Sequence, residues 1–177
     1  QIDKGFALVP EDRQRQGLIQ PMDICKNASI ASLQNFRKFI FHGTAKEEKA
    51  VDEQIKELHI KVEDKHLPIL SLSGGNQQKV VIAKGLLTHP EVLLLDEPSR
   101  GIDIGAKTEV FEIIHELAES GLSIIVISSE LKEIMAIADR IYILSNGKLT
   151  GELAGDEIAE DTLVRASYAG LGTGKGE

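Results

Sequence analysis

Apolar positions in this chain follow two spacings, and the changes between them mark its elements. "GFALVPEDR" (Gly5–Arg13) is a short apolar run stopped by Pro10, which predicts a strand followed by a charged loop. Met22–Phe41 keeps no clean period, and a helix is predicted around Asn27–Phe36. "TAKEEKAVDEQIKEL" sets Val51, Ile55 and Leu58 at helical spacing behind Thr44, a candidate N-cap, and turns its Lys46–Lys49 run and the neighbouring acids toward water. "HIKVEDKHLPIL" loses periodicity at Pro68 and reads as a linker, with His59 and His66 in solvent.

From Asn76 the pattern becomes regular. Helices are predicted over 76–88, 108–120 and 130–138, alternating with the apolar strands Val92–Leu95 and Leu122–Ser128. In the second of these helices Val110, Ile113, Ile114 and Leu117 share a face. Arg140–Leu144 and Lys148–Leu153 read as strands joined by the hairpin turn "SNGK", 156–169 as a terminal helix, and "GLGTGKGE" as a flexible tail. Strand–helix alternation with continuously apolar strands predicts an α/β fold, a parallel sheet covered by helices on both faces. Residues 22–88 then form a helical insertion.

Composition narrows the picture. A chain of 177 residues with 42% hydrophobic positions can bury a real core, and 4% aromatic content makes that core aliphatic. The net charge of −8, with no basic stripe to offset it, argues against a nucleic-acid partner. A single cysteine, Cys25, excludes an internal disulfide and reads as a buried, inert thiol. The longest apolar stretch, "LSIIVIS", is far shorter than the ~20 residues that span a bilayer. Work at a membrane would therefore pass through a partner. The chain begins with Gln1 rather than Met, as an excerpt of a longer protein would.

Two motifs carry candidate chemistry. "VLLLDEP" ends an apolar strand in two carboxylates, at the sheet edge where ligands of α/β proteins lie. Asp96 could hold Mg²⁺ through water, and Glu97 could take a proton from an attacking water. "LSGGN" offers Ser73 as an N-cap and Gly74–Gly75 for close approach of backbone N–H groups to an anion. Each has a plain alternative: a strand running into a solvated acidic turn, and an ordinary helix cap. The phosphate cradle that usually accompanies such motifs, GxxxxGK[ST], is missing from the sequence.

In this order, "LSGGN", a helix, an apolar strand with "DEP" and then "SRGID" resemble the ATP-binding cassette (ABC) ATPases over nearly the whole chain. "LSGGNQQKV" and "DEPSRGIDIGAK" are most similar to the second cassette of the twin-cassette ATPases of bacterial monosaccharide importers. That resemblance implies the cassette fold with a helical signature subdomain. It divides the chain into a core strand and Q-loop region (1–21), the helical subdomain (22–88), the α/β core with Walker B, D-loop and switch (89–155), and a terminal helix and tail (156–177). It implies ATP and Mg²⁺ as ligands. Ser73, Gly74, Gly75 and Asn76 become the signature that contacts the γ-phosphate held by the facing cassette, Asp96 the Walker B carboxylate, Glu97 the catalytic base, and Asp103 part of the D-loop. Glu11 stands at the glutamine that touches Mg²⁺ and the permease, and Ser129 at the switch histidine.

Those two departures imply weak hydrolysis at this half's own site, since losing one transition-state donor costs about 10²–10³ in rate. The phosphate loop is expected before Gln1, so the chain alone should be inactive. The implied partners are membrane permease subunits, another cassette and, indirectly, a periplasmic sugar-binding protein, at the cytoplasmic face of the inner membrane. The alternatives are a cassette half without catalysis and a non-transport ABC protein, either serving as a binding module.

Overall fold

The computed structural model describes residues 4–38 and 41–169, and the side chains of these except 37, 38, 41, 42 and 167–169. The expected tail, 170–177, lies outside them. By spatial contacts the chain forms two compact units, Gln1–Ile127 and Ser128–Glu177.

The first unit is built on a parallel three-stranded sheet in the order β1 (Phe6–Val9), β4 (Val92–Asp96), β5 (Ser123–Ile127). Its register sets Val9 beside Leu95 and Leu95 beside Val126. Alternation along the strands sends Ala7, Val9, Leu93 and Leu95 to one face, where all four are buried. Helices α3 (Gly74–Leu86) and α4 (Ile104–Glu119) pack together; α3 also meets β1, and α4 meets β5. A Cβ on Gly85 would touch both Leu93 Cδ1, at 3.3 Å, and Ala7 Cβ, at 3.5 Å, so α3 lies close on the sheet.

The opposite face is covered less. Phe6, Leu8, Ile125 and Ile127 are 40–56% exposed there. Helix α3 serves the buried face, through Gly85 against Leu93 and Ala7.

The segment between β1 and α3 is helical but less regular than a single long helix. Asp23 caps the short α1 (Ile24–Ser29) by accepting from the Lys26 N–H at 2.7 Å, and a 3₁₀ stretch continues from Ile30 to Phe36. Strands β2 (Arg37–Lys38) and β3 (Phe41–His42) form a small antiparallel pair. Helix α2 (Thr44–Glu57) begins at its expected cap, one residue early: Gly43 is the N-cap, and Thr44 is the first helical residue. Glu47, expected in water with the charged run, is buried and accepts a 2.5 Å hydrogen bond from Ser29 Oγ. It lies one turn before Val51 and so shares the buried stripe. Cys25 is buried as expected; burial first, then the Glu47 carboxylate, pushes its thiol up to about 11.

The second unit pairs β6 (Arg140–Ser145) with β7 (Lys148–Ala154) through the Asn146–Gly147 turn, both of whose residues have positive φ. Helix α6 (Glu160–Ala169) lies on this hairpin and against α5 (Leu131–Ile137). Ile141, Ile143, Leu153 and Leu163 form its core.

A buried lysine joins the helices of the first unit. Lys79, on α3 and 1% exposed, donates to Glu109 Oε2 of α4 at 2.7 Å and to the His59 carbonyl at 3.1 Å. Lys61 takes the other oxygen of Glu109 at 2.7 Å. Hydrogen bonds from Lys61 and then Lys79 hold the Glu109 carboxylate down at about 2. Removing the anion strands a buried ammonium. Glu109→Ala should cost about 3 kcal/mol, the low end for breaking a buried pair, because Glu109 is itself 39% exposed. Lys79→Met should cost less, since the buried ammonium goes while the partly exposed Glu109 carboxylate keeps Lys61. A depressed carboxylate pKa contributes stability above its unfolded value, roughly 4.3, and loses it as pH falls toward the folded value. In urea unfolding, the gap between wild type and Glu109→Ala should be constant near neutrality and narrow from about pH 4 downward.

Candidate functional site

Three loops meet at one end of the first unit. The first follows β4. Asp96 ends the strand opposite Ile127, and the Glu97 N–H extends the ladder by donating to the Ile127 carbonyl at 2.8 Å. Glu97 has φ +46, in the left-handed region that non-glycine residues rarely occupy. That turn redirects the chain over the buried Pro98 and Ser99. It continues through Gly101 (φ +67) to Asp103, which caps α4 by accepting from the Ala106 N–H at 2.9 Å.

The second loop is the start of α3. Ser73 is the N-cap, and its Oγ accepts from the Asn76 N–H at 3.5 Å and from Asn76 Nδ2 at 3.0 Å. Asn76 Oδ1 accepts from the Lys61 N–H at 2.8 Å, so this side chain also pins the preceding segment. The helix starts at Gly74, two residues earlier than its period suggests, and packing dictates both glycines. A Cβ on Gly75 would stand 2.4 Å from Ala106 Cβ of α4. One on Gly74 would stand 2.9 Å from Arg13 Nη2 and 3.4 Å from the Gly101 carbonyl.

The third loop follows β1. Asp12 caps a π-helical turn, Arg13–Gly17, by accepting from the Gln14 and Arg15 N–H groups, each at 3.1 Å. Gln14 Nε2 donates to Gln77 Oε1 of α3 at 2.6 Å, and Lys84 of α3 donates to the Gly17 carbonyl. The Glu11 carboxylate is ion-paired with Arg100.

The structure thus brings together Glu11, the Ser73–Asn76 turn and the Asp96–Asp103 loop. Ser129 belongs to the second unit, two residues beyond β5 and exposed. Its neighbour Ser128 accepts from the Glu130 N–H at 3.1 Å and donates to Glu133 Oε2 at the same distance, shaping the approach to α5. Sequence reading gave no role to Arg13, Gln77 or Lys79. The polar run "NQQK" inside an otherwise buried helix was the available signal for the last two.

No group of three or more His, Cys, Asp or Glu side chains that could hold a metal is gathered among the described residues. Mg²⁺ characteristically takes one or two carboxylates together with waters and substrate phosphates. Asp96, partly exposed at the carboxyl end of a parallel strand, fits that mode as a single protein ligand.

A parallel sheet with an acidic carboxyl edge, beside a capped Gly–Gly helix start, defines the class: the fold is that of an ATP-binding cassette. The structure matches a nucleotide-free ATP-binding cassette from an ABC transporter with a TM-score of 0.77 at 22% identity, covering 99% of this chain and 70% of that one. A family model described as "ABC transporter" matches residues 2–100, and the chain belongs to that family. It is similar to the xylose import ATP-binding protein XylG of Pseudomonas fluorescens (strain Pf0-1), at 44% identity over 95% of this chain and 32% of that protein. It is also similar to the ribose import ATP-binding protein RbsA of Rhodopirellula baltica, at 43% identity over 94% of this chain and 32% of that one. The chain spans about a third of the length of these curated relatives.

The left-handed turn at Glu97 yields a stability prediction. Glu97→Gly removes the steric penalty while adding unfolded-state entropy, so it should unfold in urea within about 1 kcal/mol of wild type. Glu97→Val, β-branched at positive φ, should be less stable than Glu97→Gly by at least about 1 kcal/mol.

Proposed function

We propose that this chain is part of the ATP-hydrolysing subunit of a bacterial monosaccharide importer, within its second cassette. The observation that carries the proposal is the joint placement of the Ser73–Asn76 helix start and the Asp96–Glu97 edge on one packed α3–sheet–α4 framework. Relatives named for xylose and ribose import support the substrate class. The partners on this reading are permease subunits, a facing cassette and, indirectly, a periplasmic sugar-binding protein, with the ATPase lying at the cytoplasmic membrane face. Among the described residues no helix is long and apolar enough to cross a membrane, which suits attachment through the permease.

Each residue then has a task. ATP with Mg²⁺ supplies the phosphoryl chemistry, for which positioning and charge stabilisation provide most of the catalysis. Asp96 would hold Mg²⁺, and Glu97 would accept a proton from the attacking water. Glu11 would reach the Mg²⁺ region only after releasing Arg100. Ser129, shorter than the histidine it replaces and without its imidazole, makes this half's own site the weaker one. Asp103 fixes the first turn of α4 at the boundary toward the facing cassette. Ser73 accepts hydrogen bonds from Asn76, which leaves its hydroxyl proton for a γ-phosphate oxygen held across that boundary. The start of α3 adds backbone N–H groups and a favourable dipole.

The test is Ser73→Arg in the full-length ATPase assembled with its permease. A cation here opposes the helix dipole and fills the phosphate's place. Steady-state hydrolysis should fall about 10²-fold or more, while ATP binding by the first cassette survives. Ser129→His in the same protein should not rescue it, because it acts on the opposite site. Normal hydrolysis in Ser73→Arg would reduce the motif to a helix cap.

A further inference from the structure

Arg13 stands where the three loops converge, and no role for it follows from the ATPase reading. Its Nη1 donates to the Arg100 carbonyl at 2.6 Å and its Nη2 to the Gly101 carbonyl at 2.9 Å. Nη2 also occupies the space into which a side chain at Gly74 would project. One planar guanidinium therefore touches the loop after the Asp96–Glu97 strand and abuts the first residue of the signature helix. Its own segment is fixed to α3 by Gln14 on Gln77 and by Lys84 on the Gly17 carbonyl. The placement has a cost. Nε is buried with no hydrogen-bond partner among the described residues, and burial pushes the guanidinium pKa below its usual value. What the fork adds to its charge is geometry: two donors set to reach two successive carbonyls.

We propose that Arg13 is a positioning residue. By clasping the Arg100 and Gly101 carbonyls against Gly74, it holds the signature turn and the loop before α4 in one relative geometry. It thereby couples the loop after β1 to the phosphate-facing start of α3. A lysine cannot replace it, since an ammonium lacks the rigid fork that spans two adjacent carbonyls. Glu11 contributes by holding Arg100, the residue that presents the first of those carbonyls, from the same segment.

The experiment uses the full-length protein and has two arms. The first, amide hydrogen exchange read by mass spectrometry without nucleotide, is independent of the ATPase reading. Three amides report the held geometry: Arg100 N–H on the Glu97 carbonyl, Ala106 N–H on Asp103, and Gln77 N–H on the Ser73 carbonyl. In Arg13→Lys they should exchange about tenfold faster, while Val92 N–H, bonded to the Gly5 carbonyl in the sheet, keeps its protection. Arg15→Gln is the control. Arg15 is 88% exposed, pairs only loosely with Asp12 at 3.7 Å and should leave all four amides unchanged.

The second arm rests on the proposed function and measures ATP hydrolysis in the assembled importer. Arg13→Lys should lower kcat about tenfold with KM for ATP within about twofold, because the facing phosphate loop still grips the nucleotide. Unchanged exchange in Arg13→Lys overturns the clasp. Faster exchange with unchanged kcat overturns the coupling. A wild-type protein without ATPase activity overturns the functional reading instead, and the exchange arm alone then decides the clasp. Arg13→Lys keeps the charge and the aliphatic stem, so it should fold as the wild type does and leave both arms readable.

Discussion

The first turns of α3 and α4 approach so closely that neither carries a side chain larger than a methyl at the contact, and the site depends on that approach. Gly75 and Ala106 meet where an added Cβ would fall 2.4 Å from its neighbour, well inside van der Waals distance. This contact sets how near the Ser73–Asn76 turn lies to the loop leaving β4. Further along the same helices the pair is locked again by Lys79 on Glu109, a buried charge that tolerates no slippage because its anion has one place to be. The helix start that can face a phosphate and the strand end that can face a metal thus belong to one packed body. Their separation is a property of the core.

That arrangement explains why the polar residues around the site serve packing as well as chemistry. Asp103 caps α4, Ser73 caps α3, and Asn76 ties α3 to Lys61. Each would keep that structural role in a cassette that never hydrolysed ATP. The carboxylates of Asp96 and Glu97 differ. Glu97 sits in a left-handed turn that a glycine would adopt more readily, so its place in the fold carries a backbone cost that a cap does not.

Much of this was legible in the sequence where a local rule sufficed. "VLLLDEP" reads as an interior strand delivering carboxylates because an all-apolar run suits a strand flanked on both edges, and β4 is the central strand. The Ser73 cap and the Asn146–Gly147 hairpin follow from residue chemistry within four positions. Helix α4 begins at Ile104 rather than Thr108 because Asp103 caps it, a signal that Gly105 masked. Glu47 was misread because a charge on an amphipathic helix is ordinarily solvated, whereas Ser29, eighteen positions away, supplies it with a buried donor. Arg13 was beyond reach for the same reason: its acceptor lies 87 residues along the chain.

The contact at Gly75 can be tested by the sign of one substitution. In a helix interior alanine is normally better than glycine by roughly 0.5–1 kcal/mol, so a spacious site would make Gly75→Ala stabilising. The close approach instead predicts a loss of about 1–3 kcal/mol from overpacking. Ala106→Gly in the same chain should recover most of it, giving a coupling of at least about 1 kcal/mol in the double-mutant cycle measured by urea unfolding. Additive effects, or a more stable Gly75→Ala protein, would contradict the claim that this contact sets the geometry of the site.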